Sequence, residues 1–201
     1  MCSHVRPIKT ETKFVVLMHP KEFKKIKNGT GHLTHLSLEN SELYIDTDFS
    51  EHQRVNELIA DPKNNCYLLY PSQKSIVLND NSILEHEKNT VIFILDATWD
   101  ISKKMLRDSK NLQVLPHISF EHTKTSQFEI KTQPEEYCLS TIESTLCVLE
   151  LLTANENEKI GQKSLDAFLN PFKAMIKYQQ SYINATGESD KNSLRFKKRS
   201  H

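Results

Sequence analysis

The chain has 201 residues, 26 of them basic and 26 acidic, so its formal net charge is zero. This length is typical of one domain, or one domain with a tail, and the neutral balance excludes a global positive field that would attract nucleic acid. Four scattered cysteines, with no membrane-length apolar run and no signal-peptide core, predict a soluble cytoplasmic protein with reduced thiols.

The first predicted strand covers residues 13–18, an apolar run suited to a buried position. It must end before Pro20, because proline cannot donate a hydrogen bond to a sheet. His19 therefore stands at the end of the strand. There it either completes the hydrogen bonding of the strand end or lies beside a ligand.

Two of the four glycines, Gly29 and Gly31, flank Thr30 ahead of a leucine-rich stretch at 33–38. The leucine spacing predicts a helix, and Thr30 is a candidate for its cap. Glycine also lets a backbone or a ligand approach closely. Because the stretch lacks the Lys-Ser/Thr ending of a phosphate-binding P-loop, a turn that leads into a helix is the favoured interpretation.

The central apolar run, residues 91–95, is rich in β-branched side chains and predicts a strand buried on both faces. It stops at Asp96, and a helix is predicted over 101–110. In open α/β sheets, ligands bind outside the carboxyl ends of strands, so Asp96, Thr98 and Trp99 arrive where such folds bind ligands. Other elements are predicted before this point: strand 43–45, helix 55–60 and strand 66–70.

The second half of the chain continues the alternation of strands and helices. Ser140 and Glu143 have the spacing of a capping box at a helix start, although the hydroxyls of Ser140 and Thr141 at a helix N-terminus would also suit an anionic ligand. This alternation predicts an α/β fold with a mainly parallel sheet flanked by helices. The remaining elements are predicted as follows: strand 112–120 broken by Pro116, strand 127–130, and helix 164–182 interrupted by Pro171.

Asp96 after an apolar strand also suggests the aspartyl nucleophile of phosphatase-like enzymes. Those enzymes place a second acid two positions later, where this chain has Thr98, so the interpretation is disfavoured. The histidines and cysteines show no paired spacing of a zinc site. Trp99 is either a core residue or a ring that stacks on a ligand base.

The block Leu95-Asp96-Ala97-Thr98-Trp99, followed by a helix with basic residues, resembles the signature of the DTW-domain proteins. Other blocks in the same order, over about residues 13–180, are similar to this family. They are His19-Pro20-Lys21-Glu22, Thr30-Gly31-His32-Leu33, the segment 112–116, Ser126 with Phe128, Pro134, and Leu139-Ser140-Thr141-Ile142-Glu143.

The resemblance implies a tRNA-uridine aminocarboxypropyltransferase, which moves the 3-amino-3-carboxypropyl group of S-adenosylmethionine to N3 of a tRNA uridine and releases methylthioadenosine. It also implies a SPOUT-like fold with a C-terminal knot, as a monomer or homodimer. We expect one DTW domain over 1–185 and a basic, flexible tail over 186–201. A SPOUT-type methyltransferase and a non-catalytic RNA-binding protein are the alternatives.

The resemblance also implies roles for individual residues. Asp96 is expected to act as the base that removes the N3 proton, gaining basicity from partial desolvation. The remaining expected sites fall into two groups: cofactor contacts at Thr98, Trp99, Leu115, Ser140 and Thr141, and substrate contacts at His19, Thr30, Lys103, Lys104 and Arg107. The last three would meet tRNA phosphates, with the basic tail as a further candidate contact.

The chain departs from the family pattern at three places. His32 and Lys131 stand where arginine is usual, and neither can form the two-pronged contact of a guanidinium. Before Arg6-Pro7, only Cys2 and His4 occupy the place of the cysteine cluster that many members carry. We therefore predict no metal site.

Overall fold

The computed structural model describes residues 2–25, 29–80, 87–121 and 139–186, and these form a six-stranded sheet in the order β2-β1-β5-β3-β6-β4. Each neighbouring pair runs in parallel. The α/β class and the mainly parallel sheet are thus confirmed. The strands are β1 Lys13–Met18, β2 Ser41–Ile45, β3 Asn64–Leu69, β4 Ile76–Val77, β5 Asn89–Asp96 and β6 His117–Ser119.

Eight helices are described, and they cover both faces of the sheet. Because both faces are covered, the inner strands are apolar at nearly every position. The helices are α1 Pro20–Lys25, α2 Thr30–Leu36, α3 Gln53–Ala60, α4 Trp99–Asp108, α5 Lys110–Gln113, α6 Thr141–Ala154, α7 Gln162–Phe168 and α8 Asn170–Thr186. None of them is long and apolar enough to cross a membrane.

Two apolar cores lie on opposite faces of the sheet. Phe14 and Ile92 point into a core shared with α2 and α6–α8, whereas Val15 and Phe93 point into a core shared with α3–α5. The register of β1 and β5 sets the positions of their ends, since Met18 lies opposite Asp96. The end of the longest strand is therefore held in the middle of the carboxyl edge of the sheet.

The predicted strand over 112–120 is wrong in its first half. Residues Lys110–Gln113 form α5. The chain keeps turning after this helix, and the N–H of Leu115 donates to the carbonyl of Leu112 at 3.3 Å. The Asn111 side chain fixes this turn by donating to the carbonyl of Phe49 at 2.8 Å. Only β6, after Pro116, pairs with the sheet.

One further expectation was met with a smaller change, and others fall outside the described residues. The helix predicted at 164–182 is two helices, α7 and α8, and Pro171 lies in the first turn of α8, where proline is tolerated. The strand predicted at 127–130 and the tail 186–201, apart from Thr186, lie outside the described residues. The path between 121 and 139 lies outside them too, so the C-terminal knot stays a prediction.

Candidate active site

Asp96 is the last residue of β5 and lies at the carboxyl edge of the sheet. It is only 6% exposed. The backbone N–H of His19 donates to its carbonyl at 3.1 Å, which joins the ends of β1 and β5. The strand pattern predicted this position, and the structure confirms it.

The carboxylate of Asp96 is contacted by an element distant in sequence. The Thr141 hydroxyl, in the first turn of α6, donates to Asp96 Oδ1 at 2.5 Å, although the two residues are 45 positions apart. On the other side, Gly31 of α2 lies so close that an added Cβ would be 2.6 Å from Asp96 Cγ. The two helix starts therefore enclose the carboxylate.

A cleft of about 370 Å³ opens between the carboxyl ends of β3, β5 and β6 and the starts of α4 and α6. Asp96 is not part of its lining, but its chain neighbours Leu95 and Ala97 and its hydrogen-bond partner Thr141 are. This volume is within the range of small-molecule sites, ~300–1,000 Å³. Its lining is mainly apolar and aromatic, with a few hydroxyl groups. The lining includes Tyr70, Leu95, Trp99, Phe120, Leu139 and Thr141.

An aromatic cluster forms one wall of the cleft. Trp99 is 39% exposed, and its ring meets that of Tyr70 edge to face, with centroids 6.1 Å apart. Tyr70 in turn contacts His117, at 5.6 Å between centroids. Trp99 is thus a cleft residue and not a core residue. Tyr70 and His117 were missed from the sequence as cleft residues, although Tyr70 is the last residue of the strand predicted at 66–70 and directly follows β3.

His117 closes this cluster with a polar contact. Its Nδ1 lies 3.1 Å from the Ser72 hydroxyl. Burial lowers the pKa of His117 from its usual value near 6.5, so the ring is neutral at physiological pH. The wall therefore carries no positive charge from this residue.

Ser140 serves as the cap of α6, as the spacing predicted. Its backbone N–H and its hydroxyl both donate to Glu143 Oε2, at 2.9 and 2.6 Å. Glu143 is itself buried. Thr141 and Ser144, one and four positions later, line the cleft, whereas Ser140 does not.

The other expected ligand contacts lie around the cleft rather than in its lining. Thr98 is the exposed N-cap of α4, and its carbonyl accepts from the Ser102 N–H at 2.8 Å. Leu115 is buried in the core between the sheet and α3–α5. His19 caps α1 through Nδ1, which accepts from the Lys21 N–H at 3.1 Å.

Thr30 is the first residue of α2 and not its cap, so that expectation was wrong. The cap is Gly29, and the Thr30 carbonyl accepts from the Thr34 hydroxyl at 2.8 Å. Next to it, the ring of His32 stacks on Phe23, with centroids 5.4 Å apart. Burial lowers the pKa of His32, so this residue does not replace the permanent charge of an arginine.

The predicted phosphate-contacting cations lie on the exposed side of α4. Lys103, Lys104 and Arg107 are all exposed, on the helix that begins with Trp99. Lys104 and Arg107 both pair with Asp108. These two cations lower the pKa of the Asp108 carboxyl, and Lys104 has the larger effect. Lys103 forms no ion pair with another described residue.

Possible metal ligands and the thiol of Cys66 were considered as a second site among the described residues. In the parts of the chain described here, no group of three or more histidine, cysteine or acidic side chains is arranged to hold a metal. Burial, with Asp61 nearby, raises the pKa of Cys66 to about 11, so its thiol stays protonated. The positions of Ser126, Phe128, Lys131 and Pro134 lie outside the described residues.

Comparison with protein families gives a match to the DTW domain over residues 1–180. The chain belongs to the DTW-domain family. Its block Asp96-Ala97-Thr98-Trp99 thus contains the aspartate, threonine and tryptophan after which the family is named. In this DTW-domain protein the aspartate contacts α6 and the tryptophan lines the cleft.

Curated relatives include tRNA-uridine aminocarboxypropyltransferase 2 from Mus musculus, which is 24% identical over 176 residues and 87% of this chain. The protein of that name from Drosophila melanogaster is 27% identical over 179 residues and 86% of this chain. The chain spans 57% and 66% of the lengths of these two relatives. No solved structure matches the chain.

Proposed function

We propose that this DTW-domain protein transfers the 3-amino-3-carboxypropyl group of S-adenosylmethionine to N3 of a uridine in tRNA. Family membership and the names of the curated relatives support this reaction class. The structural observation that carries the proposal is the buried, hydrogen-bonded carboxylate of Asp96 beside a cleft of ligand size. We assign to this carboxylate the removal of the N3 proton from a bound uridine.

The cleft fits the two chemically different ends of S-adenosylmethionine. Tyr70, Trp99 and Phe120 offer apolar and aromatic surface to the nucleoside. The first turn of α6 offers backbone N–H groups and the positive end of a helix dipole to the carboxylate of the amino-acid part. Bound there, S-adenosylmethionine would supply an alkyl carbon activated by its sulfonium.

Asp96 is the proposed acceptor of the proton that uridine N3 must lose. Uridine N3–H is a weak acid, so N3 becomes nucleophilic when a base accepts its proton. Burial removes water that would otherwise stabilise the ionised carboxylate and so favours proton uptake, while the hydrogen bond from Thr141 keeps the carboxylate ionised and oriented beforehand. The lining of the neighbouring cleft is mainly aromatic and apolar.

The tRNA would approach over α4. Lys103 and its neighbours follow Trp99 along one exposed helix, so phosphates bound there would place RNA at the mouth of the cleft. The formal net charge of zero does not oppose this, because a local basic stripe is sufficient for phosphate contacts. Five residues with expected ligand roles lie outside the cleft lining, and we propose that they act only by holding the elements around the cleft in place. They are Thr98, Leu115, Ser140, His19 and Thr30.

The SPOUT-like knot is part of the same proposal. Phe120, after β6, and Leu139, before α6, both line the cleft, while β6 and β5 are separated by β3. The segment that joins them thus begins and ends at the carboxyl edge. A knotted passage at this edge would hold α6 over Asp96.

The proposal is tested by the nucleoside that the protein releases from S-adenosylmethionine in the presence of tRNA. Transfer of the aminocarboxypropyl group leaves methylthioadenosine, whereas transfer of a methyl group leaves S-adenosylhomocysteine. Chromatography separates the two products. We expect methylthioadenosine. Release of S-adenosylhomocysteine would contradict the proposal and show that the protein is a methyltransferase. Failure to bind S-adenosylmethionine would favour a non-catalytic RNA-binding protein.

A further inference from the structure

The hydroxyl groups at the start of α6 are already committed within the protein. A threonine or serine hydroxyl has one proton to donate. Thr141 gives its proton to Asp96 Oδ1, and Ser140 gives its proton to Glu143 Oε2. In this arrangement neither hydroxyl donates to an anionic ligand, and the backbone N–H groups of α6 are left for that role.

We propose that Thr141 and Gly31 are positioning residues for Asp96. Thr141 fixes Oδ1 by its hydrogen bond, and Gly31 leaves open the space that the rest of the carboxylate occupies. This assigns Thr141 to the proton-transfer step instead of to cofactor binding. The inference rests on the proposed function of Asp96 as a base.

The space at Gly31 is set by two buried neighbours. A Cβ at this position would be 2.6 Å from Asp96 Cγ and 2.8 Å from Met18 Cε, and contacts below 3.0 Å force an atom to move. Met18 Cε is the end of a flexible side chain and can shift. Asp96 is held at a strand end, so its carboxylate would have to turn away from Thr141.

The two contacts act on the Asp96 pKa through one hydrogen bond. A hydrogen bond donated to a carboxylate favours its ionised form, so loss of the Thr141 hydroxyl raises the pKa of Asp96. Gly31→Ala acts through the same bond, by displacing its acceptor. Other titratable groups on the packed elements are His19 after β1, His32 and His35 on α2, and Glu143 on α6. They are unchanged in both variants, so the difference from the wild type reports on Asp96.

Thr141→Val removes the hydroxyl and keeps the shape of the side chain. We expect kcat to fall by about tenfold and the acid limb of the pH–rate profile to move up by about one unit. Affinity for S-adenosylmethionine, measured by calorimetry, should stay unchanged. Thr141→Ser should restore both kcat and the profile. A cofactor contact would instead weaken affinity and leave the profile in place.

Two matched controls separate positioning from general damage. Thr153→Val removes a hydroxyl from the same helix, where it bonds to the carbonyl of Leu149 at 2.7 Å. Gly161→Ala adds a methyl group at a glycine where no atom lies within 4 Å of the new Cβ. We expect Gly31→Ala to reproduce the effects of Thr141→Val, and both controls to retain the wild-type rate and profile.

A direct titration makes the inference independent of the reaction. NMR of isotope-labelled aspartate carboxyl carbons, with Asp96 assigned from Asp96→Asn, measures the Asp96 pKa without substrate. An increase of about one unit in Thr141→Val and in Gly31→Ala, absent in the controls, supports positioning even if the wild type releases no methylthioadenosine. An unchanged Asp96 pKa in folded Thr141→Val or Gly31→Ala would overturn the inference, whatever reaction the wild type performs.

Discussion

At the scale of single residues, Asp96 combines burial, a fixed position at a strand end and a hydroxyl donor from a distant helix. Asp96→Asn keeps the size of the side chain and an oxygen that can accept from Thr141, but it removes the proposed base. We expect the transfer rate to fall by about a hundredfold or more, with an unchanged melting temperature. The measurement is methylthioadenosine release over time.

The control for this substitution is Asp100→Asn. Asp100 is an exposed acid in the first turn of α4, near the cleft but outside its lining. It should retain the wild-type rate. Near-normal turnover of Asp96→Asn would contradict the role of Asp96 as a base.

Single residues were predicted unevenly from the sequence. Asp96 and Trp99 were located correctly because an apolar strand followed by polar residues marks the carboxyl edge of a parallel sheet. The contact between Asp96 and Thr141 was not predicted, since no local pattern relates positions 45 residues apart. Threonine is a residue type that favours caps, which predicts a cap at Thr30, but the chain enters the helix at Gly29.

At the scale of elements, α4 carries the proposed RNA contacts. Replacing Lys103, Lys104 and Arg107 together by alanine should weaken tRNA binding and make it less sensitive to salt. Each lost phosphate contact reduces the slope of log affinity against log salt by about 0.7–0.9. Lys103 alone should give the largest single effect, because the other two cations pair with Asp108.

The matched control replaces Lys163, Lys173 and Lys177, three exposed lysines on α7 and α8. It removes the same charge from helices that pack on the other face of the sheet. Filter-binding titrations from low to moderate salt give both slopes. An unchanged slope for the α4 variant, or an equal loss in the control, would count against the proposed approach of the tRNA.

The edge strand β2 is joined to α3 by an ion-pair network around Glu42. Arg54 contacts its carboxylate at 3.1 and 3.0 Å, Tyr44 donates at 2.6 Å, and Lys13 lies at 3.0 Å. The Arg54 guanidinium, with Tyr44 and Lys13, lowers the pKa of Glu42 to about 2. Such a carboxyl stabilises the fold above its unfolded pKa and stops doing so as pH falls toward its folded pKa.

Glu42→Gln should therefore lower the free energy of unfolding at pH 7 by about 1 kcal/mol, a value reduced for solvent screening at this partly exposed site. The difference from the wild type should shrink below pH 4.5, the ordinary pKa of the group, and vanish near pH 2. Urea unfolding at several pH values measures it. A difference that stays constant with pH would show that the network contributes through packing alone.

Elements were predicted well where their pattern is long and poorly where it is short. The apolar runs at β1 and β5 left no alternative to buried strands. Strand β4, with two residues, has no pattern to detect. The leucines and the valine at 112–115 are compatible with a strand, but residues 110–113 form a helical turn, and the side chain of Asn111 attaches this turn to Phe49 by a long-range contact.

At the scale of the whole molecule, the sheet order brings the ends of β1, β3, β5 and β6 to one edge, where α4 and α6 begin. Alternation of strands and helices indicated a parallel sheet, but it does not determine which strands are neighbours. The strand ends that line the cleft are those of β5, β3 and β6, and β3 lies between the other two although it precedes both in the chain. The position of the candidate site was predictable, and so were Trp99 and Thr141 near it, whereas other lining residues such as Tyr70 and Phe120 were not.

The most direct test of the account is the mass of tRNA after incubation with the purified protein and S-adenosylmethionine. Unmodified tRNA should gain the mass of one aminocarboxypropyl group, and nuclease fragments should place the addition on a uridine. The same incubation with Asp96→Asn should leave the tRNA unchanged. A gain of one methyl group, or no gain with any uridine-containing tRNA, would contradict the proposed reaction.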